Sequence, residues 1–147
     1  IEVWESDGVT NIDGIGTQMH VSCYANADIQ ASKEAHVVKM FELLKDSGKL
    51  VKISELDMGY VDKDGNTLAA SSLSLAQHKA MADYYEFIIR KYFEIVPPAQ
   101  QYGITQWCPT DSQANSGWRA GEPTGLWDLN YKRKPAYVGY VLGLTGK

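Results

Sequence analysis

The sequence predicts an α/β fold built on a parallel sheet. Strand-like and helix-like stretches alternate along it in the order strand–helix, strand–helix, strand–helix, the pattern of linked βα units. The two longer helical stretches each carry one apolar stripe, as a helix lying on one face of a sheet requires. Each strand also ends in polar or aromatic residues, and in parallel sheets function gathers at the C-terminal strand ends.

The totals agree with a single globular unit. The chain has 147 residues, 44% hydrophobic and 22% charged, with a net charge of -4, which suits one ordinary domain. Without a basic run, nucleic acid and anionic membranes are poor partners. No apolar stretch is long enough to insert in a bilayer, and no signal peptide opens the chain. Cys23 and Cys108 are far apart and fit no metal or redox spacing, so both are expected as small buried thiols.

Taken in order, IEVWESDGVTNIDG reads as the end of a helix belonging to something longer, stopped at Gly8. Residues 12–21, IDGIGTQMHV, read as one strand with Ile15, Thr17, Met19 and Val21 on one face and Gly14, Gly16, Gln18 and His20 on the other. Residues 26–49 are helical: Val37, Met40, Phe41 and Leu44 recur at helical spacing before Gly48. Residues 50–56 form the next strand. A polar turn at residues 62–66 leads to a helix over 74–95, opened by the capping-box pattern Ser74…Gln77. Its stripe is Leu75, Met81, Ala82, Tyr85, Ile88, Ile89 and Tyr92, and Pro97-Pro98 end it. Residues 103–108 form a third strand with Gly103, Thr105 and Trp107 on one face. A long loop, 109–128, precedes a last short helix over 135–143, with Pro135 suited to its first turn.

The segment GKLVKISELDM, residues 48–58, is the centre of this arrangement. Strict alternation places Val51, Ile53, Glu55 and Asp57 on one face and Lys52, Ser54 and Leu56 on the other. Taken singly, its acids could simply emerge into solvent, His20 could be a satisfied near-core histidine, and Trp107 and Trp118 could be core. Together, three consecutive strands deliver Gln18 with His20, Glu55 with Asp57, and Trp107 to one rim. A histidine between two carboxylates can orient both. An oriented glutamate beside tryptophan faces suits a sugar site, where a carboxylate can attack an anomeric carbon. The rival is a metal held by His20, Glu55 and Asp57, but no HExxH-type spacing occurs and the tryptophans would then serve no purpose. His36 and His78 are expected to face solvent. The glycines at 14–16 lack the GxGxxG spacing of a phosphate loop.

GKLVKISELDM resembles the nucleophile signature of glycoside hydrolase family 10, the endo-1,4-β-xylanases, through Gly48, Val51, Ile53, Ser54, Glu55, Leu56, Asp57 and Met58. IDGIGTQMHV resembles that family's sixth barrel strand, with the Gln-x-His pair at Gln18 and His20. ITQWCPTDSQ, residues 104–113, resembles its eighth strand, and GLWDLNYKRKPAY, residues 125–137, the segment that follows. Cys108 stands where members usually carry glycine. The resemblance implies the C-terminal portion of a (β/α)₈ TIM barrel, about three βα units holding strands 6–8, over residues 1–147. It implies a retaining xylanase with Glu55 as nucleophile, His20 and Asp57 holding it, and Gln18, Trp107 and Trp118 lining the sugar subsite. No metal or cofactor is implied; the partners would be xylan or xylo-oligosaccharides, outside the cell, in the periplasm or at the cell surface. No segment here resembles the family's acid/base motif, WDVVNE, and the first five strands are expected to be absent. The alternative is therefore a xylan-binding piece, inactive alone. An open arc would leave inward faces, including Val51, Ile53 and Thr105, uncovered, to be closed by the remaining barrel or a homo-oligomer.

Overall fold

A computed structural model of the chain describes residues 1–146. A short helix α1 (Glu2–Glu5) precedes strands β1 (Gly14–Thr17) and β2 (His20–Tyr24). Helix α2 (Ala27–Asp46) leads to the long strand β3 (Leu50–Val61). Helix α3 (Leu75–Ile95), strand β4 (Gln101–Gln106) and helix α4 (Pro135–Thr145) complete it. All pairings within the sheet are parallel: β1 and β2 lie end to end along one side of β3, and β4 lies along the other. This is the expected βα succession, and it forms an arc of a (β/α)₈ barrel.

Two departures from regular strands shape the arc. The stretch expected as one strand over residues 12–21 is broken, because Met19 takes a left-handed backbone at φ 60° and leaves the ladder. The Gln18 carbonyl still accepts a bond from the Glu55 amide, 3.1 Å. The second departure is in β3. Thr17 lies opposite Ile53 and His20 opposite Asp57, so β3 holds one residue more than its neighbour over that interval. The β4 side shows the same surplus, with Ile53 opposite Ile104 and Leu56 opposite Gln106. This is a β-bulge, and it reverses the alternation.

Before the bulge Val51 and Ile53 enter the core; after it Leu56, Met58 and Tyr60 do, and all but Tyr60 are 0% exposed. Val51 and Ile53 therefore do not share a face with Glu55 and Asp57, and they are not uncovered. They pack in one core with Phe41 of α2 and Tyr85, Ile88, Ile89 and Tyr92 of α3. Fully burying side chains of this size contributes about 1.5–3 kcal/mol each. Thr105 is exposed, as expected.

The helices follow their sequence signals. Asn26 caps α2 by accepting from the Asp28 and Ile29 amides. Ser74 and Gln77 form the reciprocal capping box of α3. The α3 stripe is buried from Met81 to Tyr92, but Leu75, in the first turn, is 77% exposed. Helix α4 lies so close to α3 that a side chain at Gly139 would meet the Ala82 carbonyl oxygen at 2.0 Å. Cys23 is buried, and burial pushes its thiol up to about 12. Cys108 is only half-buried, at the edge of the rim. Among the described residues no helix is long and apolar enough to cross a membrane.

Candidate functional site

The site forms where β2, β3 and the loop after β4 meet at the C-terminal rim. His20 opens β2, directly opposite Asp57 on β3. Its Nε2 lies 3.1 Å from Glu55 Oε2 and its Nδ1 lies 3.0 Å from Asp57 Oδ2. The first contact is a directed hydrogen bond; the second is a close polar contact out of line for one. The bulge brings this about, because it turns Glu55 and Asp57 to the rim while Leu56 and Met58 stay in the core.

The two acids have different surroundings. Asp57 is 0% exposed and enclosed. The Trp118 indole N–H donates to its Oδ2 at 2.9 Å, and the Arg119 guanidinium stands 3.4 Å from its Oδ1. Glu55 keeps 27% of its side chain exposed and holds His20 through one oxygen. Trp107 and Trp118 stand beside the histidine, with ring centroids 6.1 and 4.5 Å from the imidazole. Both remain about two-fifths exposed, at 41% and 42%, and so present free ring surface. Gln18 is exposed at the break between β1 and β2. The structure thus brings together His20, Glu55, Asp57, Trp107 and Trp118, with Gln18 joined through its carbonyl to the Glu55 amide.

Three site residues neighbour strained backbone. Met19 before His20, Cys108 after Trp107 and Arg119 after Trp118 have φ of 60°, 56° and 45°. Left-handed conformations in non-glycine residues persist only where the surroundings impose them, and they concentrate at working sites. The value at Cys108 accounts for a glycine at this position in the resembled motif, since glycine takes this conformation without penalty.

Other residues at the site were not singled out from the sequence. Arg119 donates to the Val21 carbonyl at 2.9 Å and the Ser22 hydroxyl at 3.3 Å, and it pairs with Glu122 at 3.6 Å. Burial raises the Glu122 carboxyl above its ordinary range, opposed by Arg119. The base of the same loop is held by Lys134, whose buried ammonium donates to Asp111 and, at 2.9 Å each, to the Pro123 and Gly125 carbonyls. Burial lowers the Lys134 ammonium and raises the Asp111 carboxyl, each opposed by the other's charge. Glu122 is three residues from Arg119, but the other partners lie nine or more positions away, so no local spacing announces them.

His36 is exposed, as expected. His78 does not simply face solvent: it is half-buried beside Asp111 and Lys134, and its Nδ1 is enclosed without a hydrogen-bond partner. Among the described residues no group of three His, Cys, Asp or Glu side chains is arranged to hold an ion.

Fold and rim define a class: a sector of a parallel (β/α)₈ barrel with an acid–imidazole–acid chain at the C-terminal ends of its strands. The comparisons narrow the class. The profile of glycosyl hydrolase family 10 matches residues 1–142. Endo-1,4-beta-xylanase A of Cellvibrio japonicus is 33% identical over 150 residues, which cover 92% of this chain and 23% of that protein. Endo-1,4-beta-xylanase 2 of Aureobasidium pullulans is 32% identical over 145 residues, covering 93% of this chain and 36% of that one. Among solved structures, a thermostable mutant of the xylanase Xyn10A from Cellvibrio japonicus superposes with a TM-score of 0.73 at 30% identity, over 99% of this chain and 43% of that chain. A mutant of xylanase 10C from the same organism, in complex with xylopentaose, gives a TM-score of 0.76 at 26% identity, over 99% of this chain and 30% of that chain. The chain belongs to glycosyl hydrolase family 10. It spans less than half the length of each of these relatives.

Proposed function

We propose that this chain is the nucleophile-bearing sector of a retaining endo-1,4-β-xylanase, with Glu55 as the nucleophile. The supporting observation is the contrast between the acids: Glu55 is anchored by His20 at 3.1 Å yet part-exposed, next to the histidine that Trp107 and Trp118 flank, whereas Asp57 is enclosed. In this reading Glu55 attacks the anomeric carbon and forms a glycosyl-enzyme. His20 holds one oxygen of the glutamate in line and leaves the other free, and Asp57 fixes the imidazole from behind. Trp107, Trp118 and Gln18 line the sugar's path, the indole rings taking its apolar faces. The xylopentaose in the Cellvibrio japonicus xylanase 10C complex is the kind of ligand such a path fits.

Retention needs a second carboxyl, roughly 5–5.5 Å from the nucleophile, to protonate the leaving oxygen. Asp57 is closed in by Trp118, His20 and Arg119; Asp111 is bound to Lys134; Glu122 is paired with Arg119. We therefore place the acid/base residue in the part of the barrel that this chain does not span. That part would also pair the open strand edges, a role a second copy of this chain could share. A polymeric substrate places the enzyme outside the cell, in the periplasm or at the cell surface. The half-exposed tryptophans favour one alternative, in which the chain alone binds xylan without cleaving it.

The decisive experiment replaces Glu55 by alanine in the complete barrel and adds azide. Hydrolysis should stop, and an inverted glycosyl azide should accumulate; wild-type turnover by the variant would refute the assignment. Reducing-sugar release is the companion assay. The chain alone should release none from xylan, and a mixture with the remaining barrel strands should release some.

A further inference from the structure

Among the described residues Arg119 is the arginine or lysine paired with the enclosed acid of the site, and its seat is built into the sheet. Its guanidinium crosses the two strands that carry the site. It reaches the Val21 carbonyl and the Ser22 hydroxyl on β2, and Asp57 Oδ1 on β3. It lies directly over Gly59, where an added Cβ would stand 2.9 Å from Arg119 Nη1 and 2.3 Å from Glu122 Oε2. Nothing else at Gly59 calls for glycine, because its backbone is not left-handed. The missing side chain is the space the Arg119–Glu122 pair occupies. Trp118, the preceding residue, donates to the other oxygen of Asp57. One dipeptide thus holds both oxygens of the acid that contacts His20.

We infer that Arg119, seated over Gly59 and pinned by Glu122, is a positioning residue: it fixes Asp57, through Asp57 the His20 ring, and through His20 the reactive carboxylate of Glu55. The inference rests on the reading of Glu55 as nucleophile. A guanidinium suits the task because its planar, multi-donor fork can hold a backbone carbonyl, a hydroxyl and a carboxylate at once. Lysine would offer a single charged point. Arg119 touches none of the atoms proposed to react, so its loss should lower kcat and leave KM nearly unchanged.

The test uses the complete barrel with xylo-oligosaccharide substrates. Gly59→Ala dislodges the pair without deleting the guanidinium, and the displaced atoms are the ends of flexible side chains, so the protein still folds. We expect kcat to fall about tenfold or more with KM within about twofold. Arg119→Met should match it, Arg119→Lys should recover only part, and Glu122→Ala added to Gly59→Ala should restore much of the loss by vacating the closest clash. On the 147-residue chain itself, the Trp118 indole N–H signal should lose its exchange protection in Gly59→Ala and regain it in the double variant. Wild-type kcat in both Gly59→Ala and Arg119→Met, or a loss confined to KM, would overturn the inference. Glu55→Ala is measured alongside. If it is as active as wild type, the nucleophile reading fails; if it is dead while Gly59→Ala is unchanged, only the role of Arg119 fails.

Discussion

Two buried charged clusters sit within this short arc, and they are built in opposite ways. At the loop base, Lys134 gives its donors to Asp111 and two backbone carbonyls, and Asp111 also accepts from the Gly125 amide. Both side chains are almost fully buried, at 6% and 5% exposure. At the rim, His20 is shared between two acids, Asp57 Oδ1 has the Arg119 charge at 3.4 Å but no hydrogen bond, and Glu55 retains an open oxygen. The closed cluster uses the three donors of its ammonium within the protein. The rim cluster holds its groups firmly but leaves one of them unsaturated, and that remainder is what a substrate can use.

The sharpest way to break this contrast is Glu55→Ala. Activity of the complete barrel should fall by on the order of 10⁴-fold or more, while thermal stability shifts by no more than about 0.5 kcal/mol, since a part-exposed side chain with one partner is removed. The mirror experiment is Lys134→Met. Removing one member of a buried pair leaves the other charge uncompensated and should cost about 3–5 kcal/mol, read as a lowered denaturant midpoint. A change of less than about 1 kcal/mol would show that the closed cluster is not structural. Asp57→Asn lies between the two: kcat should drop about ten- to a hundredfold, as when an outer partner of a functional histidine is altered, and a loss as complete as that of Glu55→Ala would give Asp57 a direct part in the chemistry.

The smallest effect concerns His78, which borders the closed cluster. Burial, then the Lys134 charge, lowers its proton affinity in the folded state. The unfolded chain therefore takes up a proton near the ordinary histidine value of about 6.5 while the folded chain resists it, and stability should decline as pH falls below that value. Comparing denaturant midpoints at several pH values for wild type and His78→Gln checks this; equal slopes would remove His78 from the account.

Most of this architecture was legible because local rules act locally. The caps at Asn26 and Ser74, the stripes of α2 and α3, and the polar ends of the strands each depend on residues a few positions apart. The bulge was passed over for a specific reason. The core positions of β3 run 51, 53, 56 and 58, and the change of step between 53 and 56 is the signal; reading strict alternation straight to Asp57 discards it. The seats of Arg119 and Lys134 could not be read from spacing, because, Glu122 aside, their partners come from other strands and from distant points of the loop. His78 was misplaced because the packing of a helix end against a loop leaves no periodic trace.

The bulge also bears on how the chain avoids error while it folds. If β3 paired without its extra residue being set aside, the pleat would aim Glu55 and Asp57 at the helices and Leu56 and Met58 at water. Slippage by one residue is the characteristic hazard of strand pairing. Here it would bury two carboxylates without their imidazole and guanidinium partners, at a cost of several kcal/mol. The acids of the rim thus act as proofreaders of register: the groups to which the proposed chemistry is given also penalise the misaligned sheet.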